Sequence, residues 1–102
     1  MDNQPAPKQT RTSALPIPPL YKLKRYQYLT LCHFNRHLGR MTASEVYSER
    51  VEYCKRVSEL NRQLTCLSTM IALRETGHEM TQRQRRLDRV MWQQLDLDDL
   101  IS

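Results

Sequence analysis

Residues 42–77 read TASEVYSERVEYCKRVSELNRQLTCLSTMIALRETG, and this stretch decides the fold. Within it Val46, Arg50, Tyr53, Val57, Leu60, Leu64, Leu67 and Ile71 recur at alternating steps of four and three. Steps averaging three and a half residues keep one face of an α-helix apolar, which is the heptad register of a coiled-coil seam. Thr42 and Glu45 have the spacing of a capping box, and Met41 and Val46 stand where a hydrophobic staple closes over a helix start. The pattern predicts a long central helix over 43–76, stopped by Gly77. At about 1.5 Å per residue it would be on the order of 50 Å long, so it needs neighbours along its whole length.

On the N-terminal side, Leu20, Leu23, Leu31, Phe34 and Leu38 recur at helical spacing, with Tyr21, Tyr26 and Tyr28 among them. Pro18 and Pro19 suit a helix start, and Gly39 suits a C-terminal cap, so a first helix is expected over 19–38. Residues 1–18 hold all five prolines and read as a disordered, basic, Pro-rich arm. On the C-terminal side, Thr81 and Gln84 repeat the capping-box spacing and open a short third helix, 82–95, in which Leu87, Val90, Met91 and Leu95 share a face. Residues 96–102, DLDDLIS, form an acidic and apolar tail. The fold class is therefore all-α: an antiparallel helical hairpin with helix 1 over the first half of the coiled-coil-like helix and helix 3 folded back over its second half.

A chain of 102 residues with 39% hydrophobic residues and two glycines makes one small domain with no large enclosed cavity for a small-molecule substrate. Neither glycine is free to build a phosphate-cradling loop, and no Ser, Cys or Thr stands in a recognisable arrangement with a base and an orienting acid. His33 and His37 share a helix face, but Phe34, Asn35 and Arg36 between them include no carboxylate, so they read as surface or interface histidines rather than metal ligands. No catalytic residue, metal or cofactor is expected. Cys32, Cys54 and Cys66 form no CxxC pair and read as reduced thiols. No apolar run approaches the roughly 20 residues that span a bilayer. A cytoplasmic, reducing setting without membrane contact is the expectation.

The formal net charge of +5 is unevenly placed. Residues 1–40 carry seven basic side chains against one acidic, residues 41–76 five of each, and residues 77–102 four against five. The excess lies in the arm and the first helix, where Lys22, Lys24 and Arg25 alternate with Tyr21 and Tyr28. Cations beside exposed aromatic rings suit phosphate contact combined with base stacking. Arg83, Arg85, Arg86 and Arg89 form a second candidate set on helix 3. Nucleic acid, or an acidic protein surface, is the partner this charge distribution implies.

Two-helix cross-sections leave apolar surface open, so self-association into a homodimer through Val57, Leu60, Leu64, Leu67 and Ile71 is expected, with Arg50 as a charged interruption of the seam. In the tail, Gln94-Leu95-Asp96-Leu97 resembles the core of the short peptide by which bacterial replication proteins dock on the sliding clamp, departing from it at Asp98. The tail is also similar in composition to the C-terminal tips of single-stranded-DNA-binding proteins. Leu95, Leu97, Leu100 and Ile101 are candidate partner-binding residues, and the simpler account is that Leu97, Leu100 and Ile101 pack back on the bundle or fold on a partner's groove while the aspartates keep the segment soluble. The expected function is a non-enzymatic accessory or regulatory protein working at nucleic acid. The alternative is a protein-binding adaptor or inhibitor of phage, plasmid or viral type that docks through its heptad face and tail.

Overall fold

The computed structural model describes residues 15–98 and consists there of three helices without a strand: α1 (Leu20–Ala43), α2 (Tyr47–Glu75) and α3 (Gln82–Gln94). The all-α hairpin read from the heptad pattern is the observed architecture. The expected arm at 1–14 and the end of the tail, including Leu100 and Ile101, lie outside the described residues. Among the described residues no helix is long and apolar enough to cross a membrane.

The two ends of the α1–α2 connection differ from expectation. Gly39 does not cap α1, because its φ is not positive and the helix continues to Ala43. Thr42 makes no capping box with Glu45. Its hydroxyl lies 3.2 Å and 3.0 Å from the carbonyls of Leu38 and Gly39, the back-bonding of a helix-interior threonine. Ser44 shapes the turn instead: its Oγ accepts from the Val46 N–H at 3.3 Å and donates to Glu49 Oε2 at 2.9 Å. Glu49 thereby sits in the first turn of α2, where a carboxylate complements the helix dipole. A Cβ placed on Gly39 would meet nothing within 4 Å. Gly39→Ala is therefore expected to raise stability by about 0.5–1 kcal/mol in urea unfolding, whereas a capping glycine at positive φ would lose stability on the same change.

The other two signals hold. Gly77 adopts φ +72°, the left-handed conformation that ends α2. Thr81 Oγ1 accepts from Gln84 N at 3.2 Å while Gln84 Oε1 accepts from Thr81 N at 2.9 Å, a complete capping box.

Helix α1 lies antiparallel to α2 and reaches almost its far end, not only its first half, since Gln27 Nε2 donates to Ser68 Oγ at 2.9 Å and Lys24 pairs with Glu75 at 3.4 Å. Helix α3 then adds a third element over the second half of α2. The core follows from that overlap: Leu23, Leu60, Leu67, Met70, Ile71, Trp92, Leu95 and Leu97 are buried together. Tyr26 stacks on Trp92 with ring centroids 6.2 Å apart, and Trp92 Nε1 donates to the Leu15 carbonyl at 2.8 Å. Ile17 packs against the same core, so residues 15–18 belong to the domain rather than to the expected arm.

The inward face of α3 is only in part the one expected. Met91 and Leu95 pack in the core, but Leu87 and Val90 are exposed, and Asp88 and Trp92 point in. The reason is an ion pair: Arg74 Nη1 and Nη2 donate to Asp88 Oδ1 and Oδ2, each at 2.7 Å, and Arg74 Nη1 also lies 3.0 Å from the Met70 carbonyl. A bidentate pair fixes the rotation of α3 about its own axis as well as its distance from α2.

Candidate nucleic-acid interface

Helix α1 carries Lys22, Lys24, Arg25, Arg36 and Arg40 and no carboxylate between Leu20 and Ala43. Its inward face is set by Leu23, Tyr26, Thr30 and Phe34, which pack on α2 and the core. The buried Thr30 hydroxyl is satisfied by the Tyr26 carbonyl at 2.7 Å. With that face turned in, the 3.6-residue period turns Tyr21, Arg25 and Tyr28 outward as one stripe. Tyr21 is 71% exposed and Tyr28 63%. Lys22 and Lys24 are also exposed and flank the stripe. Of these three cations only Lys24 has a carboxylate partner, Glu75, among the described residues.

The arginines of α3 do not form one set. Arg85, Arg86 and Arg89 line one shallow groove with Gln82. Arg83 is exposed outside that groove, toward the side of α3 that carries Leu87 and Val90. Arg85 is drawn to Glu79 at 3.2 Å, while Arg83, Arg86 and Arg89 have no ion pair among the described residues. No hydrogen bond or ion pair among the described residues joins the α1 stripe to the α3 groove.

Several expected sites are occupied by the fold itself. Leu60, Leu67 and Ile71 of the seam are buried within one chain, with Val57 and Leu64 half-buried, so the seam is not an open self-association surface over its second half. Leu95 and Leu97 are core residues rather than a free docking tail, because the extended backbone after α3 alternates and sends both leucines inward with Asp96 outward. Gln63 Nε2 holds that segment by donating to the Asp96 carbonyl at 3.0 Å. The resemblance to a clamp-docking peptide therefore falls on side chains that the core has taken. The roles of Arg74, Asp88 and Gln63 escaped sequence reasoning, since each is a polar residue that faces inward, and polar side chains are expected on the solvent side.

His33 and His37 stack at 6.4 Å, and His37 Nδ1 lies 2.9 Å from the His33 carbonyl, which fixes the proton of the neutral ring on Nδ1. His37 also meets the Tyr53 ring edge-on at 6.3 Å. Among the described residues no three His, Cys, Asp or Glu side chains stand together as a cation site. All three cysteines are free thiols.

The geometry offers an aromatic stripe with flanking cations on α1 and a separate arginine groove on α3. Compared with known proteins, the chain matches no family model, no curated protein and no solved structure.

Proposed function

We propose that this protein is a non-enzymatic accessory or regulatory protein that binds nucleic acid along the outward stripe of α1. The observation that carries the reading is the exposure of Tyr21 and Tyr28 on either side of Arg25, on a helix with five cations and no carboxylate. Two solvent-facing rings about two turns apart offer stacking faces that any base can use, and Lys22, Arg25 and Lys24 offer charge to the phosphates between them. Arg85, Arg86 and Arg89 add a second strip of positive charge, suited to backbone contact rather than to reading bases.

Binding to a labelled single strand and to a labelled duplex, followed by anisotropy over a salt series, tests this. Affinity is expected to fall steeply with salt. Combining Lys22→Ala with Arg25→Ala should lower the log–log slope by about 1.4–1.8, since each phosphate contact contributes roughly 0.7–0.9. Tyr21→Ala and Tyr28→Ala should each cost about 1–3 kcal/mol on the single strand while leaving the slope unchanged. Absent or salt-independent binding sinks the proposal. Salt-sensitive capture of an acidic protein with no oligonucleotide binding assigns the same cations to the other partner class.

A further inference from the structure

The buried side chains of the hairpin all lie at one end. In α1 they are Leu23 and Thr30, in α2 they begin at Leu60, and no side chain between residues 31 and 59 is buried. This distal half consists of two helices and their connection, with no other described segment lying over them, and two helices alone bury little beyond the line where they touch. It is nevertheless rich in apolar groups. Leu31, Val46 and Tyr47 are exposed, and Met41, Thr42, Tyr47, Arg50, Val51 and Cys54 line an open groove near the connection.

We propose that a second copy of this chain packs over this groove, so that two distal hairpins complete one four-helix layer. The interface differs from the seam at 57–71, most of which the chain fills by itself, and it is independent of the nucleic-acid reading because Tyr21, Arg25 and Tyr28 lie toward the opposite end of α1.

Residues 1–14 offer the groove no large apolar side chain except Met1, and the charges around it select a second copy, because they are self-complementary. Arg50 lies in the groove and Glu45 beside it in the connection, and neither has an ionic partner among the described residues. In a two-fold contact each copy can give Arg50 to the other copy's Glu45, so one arrangement satisfies both groups twice.

Sedimentation equilibrium of the full chain is expected to give twice the 12.2 kDa chain mass. Arg50→Glu and Glu45→Arg should each weaken the dimer about tenfold or more, and an equal mixture of the two variants should restore it, because the mixed pair regains both opposite-charge contacts. Cys54 provides a readout on the unaltered protein. Its thiol is exposed in the single chain, so its alkylation rate should fall about tenfold as dimer forms. A chain that stays monomeric at millimolar concentration, or a Cys54 rate that does not change with concentration, overturns the proposal. So does a dimer indifferent to both charge reversals but broken by Leu87→Glu on α3. Protection of Cys54 by an oligonucleotide while the chain remains monomeric overturns it too, by giving the groove to another partner.

Discussion

Arg74→Met is expected to remove about 3–5 kcal/mol of folding stability, read as a lower urea midpoint at unchanged slope. Asp88 is only 3% exposed, and Arg74 satisfies both of its carboxylate oxygens. Without the guanidinium the carboxylate stays out of water with no counter-charge, and it is this orphaned charge, more than the lost hydrogen bonds, that sets the size of the effect. For a small domain whose total stability is on the order of 5–15 kcal/mol, the loss is a large fraction of the whole. Adding Asp88→Leu to Arg74→Met removes both charges and should recover most of the deficit, giving a strongly non-additive double-mutant cycle. A single variant within about 1 kcal/mol of the parent, the range of exposed ion pairs, contradicts the buried pair and shows that α3 turns Asp88 out to solvent.

Trp92→Ala should cost a similar amount, about 3–5 kcal/mol, followed by circular dichroism because the chain's single tryptophan is lost. Two different contributions meet in this side chain. Its ring fills the space between α3 and Tyr26, at a 6.2 Å centroid separation and a 27° interplanar angle, and its Nε1 holds the Leu15 carbonyl. Trp92→Phe keeps much of the first and deletes the second, so about 1 kcal/mol is expected from the lost hydrogen bond, along with faster amide exchange at residues 15–19. Equal losses in the two variants would show that the hydrogen bond, and not the packing, dominates.

The fold was legible where a local signal had no competitor. The heptad of α2 persists through eight positions, and Thr81 with Gln84 and Gly77 meet no alternative partner, so the helices and the α2–α3 turn follow directly from them. At the α1–α2 turn two readings competed. Thr42 has the right spacing for a cap, but a threonine hydroxyl can equally bond the carbonyl a turn behind it, and an exposed Gly39 costs a helix interior too little to stop it. The α3 face was misread for a different reason. Hydrophobic periodicity selects Leu87 and Val90, whereas the demand for a counter-ion at Arg74 and a stacking partner at Tyr26 turns Asp88 and Trp92 inward, and neither demand is visible within α3 alone. The candidate site was more accessible to sequence reasoning, since Tyr26 shares the helix face of Leu23 and Thr30 while Tyr21 and Tyr28 fall on the opposite side. What sequence reasoning could not separate was Arg83 from its three neighbours, because that division depends on how α3 is seated.

The Leu15–Trp92 hydrogen bond joins residues 77 positions apart, and Gln63–Asp96 joins residues 33 apart. Compared with the hairpin, which can zip up from its short connection, the Leu15 contact closes the longest loop and brings the greatest loop-closure cost. On a chain emerging from the ribosome, α1 and α2 can pair while one side of Leu60, Leu67 and Met70 is still bare, and that side closes only after Leu95 and Leu97 have been made. The segment holding Leu95 and Leu97 is thus the latch of the domain.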